Sequence, residues 1–310
     1  MIHELDRYVK QQHYRLLNSV LIYKGNELIL ERYYNHFSQN SRNNIKSIWK
    51  SILSLCCGIA IDRGFIKSVD EPICNYLPIF DGRNHPYHAL ITIKHLLTMT
   101  SGISWNGGVK YHCPMLVQFN RTQDRMQYLA DIKMDVLPGT KFLYKEWDVI
   151  LLSAVISAAT SRHTFDFCNE YLYKPLSIES GKWFSYPDGI CYNIGTTPAE
   201  QAQSDLSARD LAKIGLLMRN NGEWEGQQIV SEKYIKAAVT AVEMASGNEL
   251  EKPGYGYLWW IYEDGFGGAG YGGQSLRIIP DLDIVYVLQA TVLNSQNDYN
   301  DVAYEIIKKL

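Results

Sequence analysis

The sequence predicts an α/β protein in which one sheet domain is assembled from both ends of the chain and a helical region is inserted between them. Three observations carry that reading. Strand-like runs occupy residues 18–34 and return only after Pro253. From about residue 120 to 180 the apolar residues recur at helical spacing instead. No internal repeat or low-complexity linker divides the 310 residues. The expected partition is 1–66 plus 200–310 for the sheet domain and 67–199 for the helical region, with an active site in the cleft between them.

Taken in order, residues 3–13 form a short amphipathic helix. Residues 18–23 and 28–34 are strand-like runs, with a hairpin at Lys24-Gly25-Asn26-Glu27. Asn43 or Asn44 caps the next helix, along which Ile45, Trp49, Ile52, Leu53, Cys56 and Ile59 recur until Gly64. Residues 69–78, with two prolines, read as an extended crossover. Thr92 caps a short helix through Leu97, and further helices follow over 122–132, 146–160 and 164–173. Ser207 and Asp210 form a capping box for a helix through Met218, closed at Asn220-Asn221-Gly222, and Ser231 starts another. The last strands are 255–262, 274–279 and 284–292, the final two turning at Pro280-Asp281-Leu282-Asp283. A helix over 299–309 closes the chain.

Composition narrows the function classes. Apolar content of 46% and charged content of 20% describe an ordinary globular protein with ample core. A net charge of −3 gives no reason to expect a nucleic acid or an anionic membrane as partner. The charged N-terminus lacks the apolar stretch of a secretory signal, so the cytoplasm is the expected compartment. The six cysteines contain no C-x-x-C pair, and Cys56 and Cys57 are expected as reduced, buried thiols. His85-Pro86-Tyr87-His88 and His112-Cys113 lack zinc-site spacing, and no phosphate-cradling glycine loop precedes a helix. No metal or cofactor is expected.

The chemistry centres on Ser47-Ile48-Trp49-Lys50. Ser47 falls in the first turn of its helix, and Lys50 at i+3 shares its face. Free N–H groups and the helix dipole favour negative charge there. A desolvated, neutral Lys50 is able to accept the Ser47 proton. The same pair also suits the surface of an amphipathic helix, so the tetrad alone does not decide.

Longer segments do. The chain resembles the serine β-lactamase-like hydrolases of the class C type, which include β-lactamases, DD-peptidases, esterases and 6-aminohexanoate-oligomer hydrolases. The resemblance runs over nearly the whole chain. It is carried by Ser47-Ile-Trp-Lys50-Ser51, Gly58-Ile-Ala-Ile-Asp62-Arg-Gly64, Val69-Asp-Glu-Pro72 and Ile91-Thr-Ile-Lys-His-Leu-Leu-Thr-Met-Thr-Ser-Gly102. It continues in Pro138-Gly-Thr-Lys-Phe-Leu-Tyr144, Ser207-Ala-Arg-Asp-Leu-Ala-Lys-Ile-Gly215 and Gly270-Tyr-Gly-Gly-Gln274. The resemblance implies a mainly antiparallel sheet flanked by helices, an all-helical region, and a substrate cleft between them.

It also implies roles. Ser47 matches the acylated nucleophile, Lys50 its proton acceptor or electrostatic activator, and Tyr144 the tyrosine that relays protons. The N–H groups of Ser47 and Tyr271 match the oxyanion hole. Glu146 stands where Asn or Ser is usual, and a carboxylate cannot donate a hydrogen bond. Three outcomes are open: Glu146 points away as a helix N-terminal acid, binds a cationic substrate group, or impairs the site. The third motif, normally a cation and a hydroxyl, falls on Gly268, Ala269 and Gly270, with Gly270, Gly272, Gly273 and Gln274 as substrate-contacting positions. Without that cation a small ester, short amide or peptide-like substrate is expected rather than efficient β-lactam turnover, unless Arg277 substitutes. Trp105, Trp183, Trp259 and Trp260 are candidates for an acyl-pocket wall. The rival reading is a binding or sensor module on the same fold.

Overall fold

A computed structural model describes residues 2–107, 114–179, 183–191, 205–242, 254–293 and 297–310. Helix α1 (Ile2–Gln11) buries Leu5 and Val9. Strands β1 (Leu17–Lys24) and β2 (Glu27–Tyr33) form the expected hairpin. A short strand, β3 (Arg42–Asn44), then leads to helix α2 (Ile48–Asp62), in which every residue from Ile48 to Ala60 is buried. Short 3-10 turns at Ile73–Asn75 and Pro78–Phe80 occupy the stretch expected to be extended. Thr92 and His95 cap α3 (Ile93–Leu97) reciprocally.

The inserted helices are α4 (Pro114–Arg121), α5 (Arg125–Ala130), α6 (Glu146–Thr160) and α7 (Thr164–Cys168), the last running into a π-helical turn, Asn169–Tyr173. Strand β4 (Asp205–Ser207) precedes α8 (Ala208–Arg219), whose Asp210 N–H is capped by the Ser207 hydroxyl. A small ladder of β5 (Glu223–Trp224) and β6 (Gln227–Gln228) precedes α9 (Glu232–Ala238). The chain ends in β7 (Gly254–Tyr255), β8 (Trp260–Tyr262), β9 (Gly265–Gly270), β10 (Gln274–Ile279), β11 (Ile284–Ala290) and α10 (Asn300–Ile307).

Seven strands form one antiparallel sheet in the order β2-β1-β11-β10-β9-β8-β7. Period-two alternation divides its side chains between two cores. Leu21, Leu276, Val285 and Val287 join the larger core beneath α2 and α8. Val20, Ile22, Tyr286 and Leu288 join the smaller one under α1 and α10. Helices therefore cover both faces, and the N-terminal hairpin completes a sheet begun by the C-terminal strands. The boundary expected at residue 199/200 lies outside the described residues.

Two local expectations give way to tertiary structure. Asn43 and Asn44 do not cap α2; both belong to β3, which pairs with β4, and Ser47 is the N-cap residue. The strand expected over 255–262 breaks at Gly256–Trp259 (Leu258 lies at φ +61°), and the Leu258 N–H bonds to the Leu97 carbonyl. The glycine-rich run 265–270 is a paired strand, β9, held between β8 and β10.

Candidate active site

Ser47 sits where β3 enters α2. Its backbone is already helical (φ −64°, ψ −9°), and its hydroxyl caps nothing. Instead that oxygen accepts a hydrogen bond from Lys50 Nζ at 3.1 Å. The same ammonium donates to Glu146 Oε1 at 3.0 Å, from the first turn of α6. Lys50 and Glu146 are sealed, each side chain 2% exposed, whereas Ser47 is only partly buried. Glu146 therefore turns toward Lys50 and not away. Burial opposes charge on Lys50, but Glu146, with Tyr144 beside it, outweighs that cost and holds the ammonium above the usual lysine range. Glu146 Oε2 has no hydrogen-bond partner among the described residues.

Strand β9 lies against the start of α2, and its glycines permit the approach. A Cβ at Gly268 would sit 3.1 Å from Ile48 Cγ2 and 3.2 Å from Ser51 Oγ, and one at Gly270 would collide with the Ile45 carbonyl. Tyr271 follows directly, at the turn into β10. Neither the Ser47 N–H nor the Tyr271 N–H has a hydrogen-bond partner among the described residues. A clasp fixes the two strands that carry them. Asn43 Nδ2 donates to Gln274 Oε1 at 2.9 Å and to the Ala290 carbonyl, while Gln274 Nε2 donates to the same carbonyl at 2.8 Å.

Tyr144 completes the group. Lys50 Nζ lies 5.1 Å from its ring centroid, and Trp260 stacks on it at 5.6 Å. The turn carrying Tyr144 is braced by a second buried ion pair, Lys145 Nζ to Asp148 Oδ2 at 3.2 Å. Asp148 also accepts from the Ser101 hydroxyl at 2.5 Å. Burial pushes the Asp148 carboxyl above its ordinary range, with Lys145 and Ser101 opposing it. Above Ser47 opens a cavity of ≈ 590 Å³, walled by Trp105, Tyr144, Trp260, Tyr262 and the Gly270–Gln274 turn. The cavity thus brings together a partly exposed hydroxyl, bonded by a buried ammonium, and the turn that carries Tyr271.

The Beta-lactamase family model matches residues 5–309. The chain belongs to the beta-lactamase family. Its relatives within that family include hydrolases. One is the 6-aminohexanoate-dimer hydrolase of Paenarthrobacter ureafaciens, 21% identical over 87% of this chain and 71% of that protein. Among solved structures, the penicillin-binding protein of Bacillus halodurans superposes with TM-score 0.72 at 18% identity, covering 99% of both chains. EstCE1, a hydrolase with promiscuous acyltransferase activity, superposes with TM-score 0.77 at 16% identity over 99% of this chain and 96% of its own.

Set beside the motifs of the beta-lactamase family, the structure brings Ser47, Lys50, Tyr144 and Glu146 into one cluster, with Tyr271 on the adjoining strand turn. Gly270, Gly272 and Gly273 line the cavity. Gln274 borders it too, but its amide is taken up by Asn43 and Ala290. Glu146 lies beneath the cavity floor. Arg277 does not supply the missing cation. It is on the α10 face of β10, bonded to Asp264 at 2.6 Å and covered by the Tyr262 ring. Trp105 and Trp260 wall the cavity, whereas Trp183 and Trp259 are core, Trp183 packing edge-on against Trp49 at 5.4 Å. Among the described residues no group of three or more His, Cys, Asp or Glu side chains is placed to hold a metal ion; His112 and Cys113 lie outside them.

Sequence reasoning missed Tyr262 and the loop Asn297–Asn300, both of which line the cavity. A usable signal was the position of that Asn-rich stretch. It links the last strand to the closing helix, beside the β9–β10 turn.

Proposed function

We propose that the protein is a serine hydrolase that forms an acyl-enzyme at Ser47 and cleaves a small ester or short amide. The observation that carries this reading is the Ser47–Lys50 hydrogen bond on the floor of an open aromatic cavity. Ser47 Oγ attacks the acyl carbon, and the N–H groups of Ser47 and Tyr271 receive the oxyanion. Lys50, held as an ammonium by Glu146, acts first as a donor that stabilises charge on Ser47 Oγ. Tyr144, on the cavity wall beside it, takes the Ser47 proton as Oγ attacks and passes it to the leaving group; in deacylation it takes a proton from water and returns it to Ser47. The bare third motif at Gly268, Ala269 and Gly270 supports esters or amides over substrates recognised by their carboxylate.

The test is incubation with a fluorophosphonate followed by intact mass. A single adduct is expected on folded protein and none on Ser47→Ala; an adduct that survives this substitution would overturn the assignment. One observation favours a second reading. A lysine tied to a buried carboxylate is a poor proton acceptor, which suits a binding or sensor module with weakened chemistry. Absence of any adduct on the folded wild-type chain favours that module.

A further inference from the structure

We infer that the cleft above Ser47 selects substrates whose acyl portion carries a positive charge. The described cavity wall bears one formally charged side chain, the carboxylate of Asp298. Its Oδ1 accepts the Asn300 N–H at 2.9 Å and the Asn300 side-chain amide at 2.7 Å, a turn just before α10. Its Oδ2 makes no hydrogen bond among the described residues. Other charges near the cleft are paired off: Lys50 with Glu146 below the floor, and Arg277, behind the Tyr262 ring, with Asp264.

The rest of the wall is aromatic. Trp105 and Trp260 are both only partly buried, and indole faces carry the negative potential that attracts cations. Tyr262 contributes less, because the Arg277 guanidinium already lies 3.4 Å from its ring centroid. A substrate carboxylate placed here meets Asp298 and finds no described counter-charge. A neutral apolar group that covers Asp298 strips water from a charge and returns nothing for it. An ammonium or quaternary ammonium group gains both the carboxylate and the rings.

This deepens the acyl-enzyme reading and rests on it for turnover, so the experiment has a binding arm that does not. Three acyl groups of matched length are compared: γ-(trimethylammonio)butyryl, its carbon isostere with tert-butyl in place of the trimethylammonium, and glutaryl. As p-nitrophenyl esters they are assayed with the wild-type enzyme. As N-methylamides they are titrated into Ser47→Ala protein by tryptophan fluorescence and calorimetry. The cationic member is expected to bind and turn over about tenfold better than the isostere, with glutaryl last. Asp298→Asn, which can keep the hydrogen bond to the Asn300 N–H, should erase most of that preference through KM. Equal or better binding of the neutral or glutaryl amide to Ser47→Ala overturns the inference. Selective binding of the cation without any Ser47 adduct upholds it and removes the hydrolase reading instead.

Discussion

At the scale of single residues, the decisive substitution is Glu146 at a position where the family uses a hydrogen-bond donor. Its carboxylate faces Lys50 at 3.0 Å and keeps the amine protonated. Glu146→Asn removes that hold and leaves burial, the largest influence on Lys50, opposed only by Tyr144, so the Lys50 pKa should fall. Each unit of fall raises the free-amine fraction at neutral pH about tenfold. The free amine then offers the Ser47 proton a second acceptor beside Tyr144, so ester hydrolysis at pH 7 should rise, and the rise of rate with pH should move to lower pH. A pH–rate profile identical to wild type would show that Lys50 does not act as the base. Stability carries the same sign information. In the wild type, Lys50 is raised on folding, so its contribution is present below the ordinary lysine value of 10.5 and is lost as pH climbs through the raised one. In Glu146→Asn the shift reverses, and melting curves should show stability increasing as pH rises toward 10.5, below the window in which the wild type loses it.

Among the elements, β9 decides whether a site exists. Its glycines have no pattern to read: Gly265-Phe266-Gly267-Gly268-Ala269-Gly270 shows neither alternation nor β-branching, and it is a strand because β8 and β10 flank it. Gly270→Ala pushes β9 off the Ile45 carbonyl and thus moves Tyr271 relative to Ser47. The expected cost is about 1–3 kcal/mol in urea denaturation and more than tenfold in kcat/KM. Unchanged turnover would mean that the Tyr271 N–H is not an oxyanion donor. What was legible in the sequence follows the same physics. Starts such as Thr92, Ser207 and Ser231 are local hydrogen-bonding choices, and the 146–160 helix is a local period, so both could be read in place. The β3–β4 pairing, the break at Leu258 and the burial of Trp183 and Trp259 are set by partners far along the chain. The Ser47–Lys50–Tyr144 cluster was legible through motif spacing. The direction of Glu146 was not, because a residue at a helix start has no pattern to say which way it faces.

For the whole molecule, the two termini are part of the structure that holds the site. Tyr8 and Tyr14 from the N-terminal segment both donate to Asp301 Oδ2 of α10, at 2.6 and 2.8 Å. Asp301→Ala leaves two phenols without their acceptor, which should cost about 1–3 kcal/mol and lower Tm by several degrees. Fluorophosphonate labelling at 25 °C should be unaffected, since this contact is on the opposite face of the sheet from Ser47; loss of labelling would show that the termini govern the site directly. The clasp between Asn43 and Gln274 spans 231 residues of sequence. Its consequence is temporal. A chain emerging from the ribosome carries its serine early but cannot aim the second N–H donor until almost all of the polypeptide has been released. On the proposed mechanism the nascent protein should be inert toward acyl donors, so that the appearance of labelling during refolding or translation becomes a clock for the last, long-range step of folding.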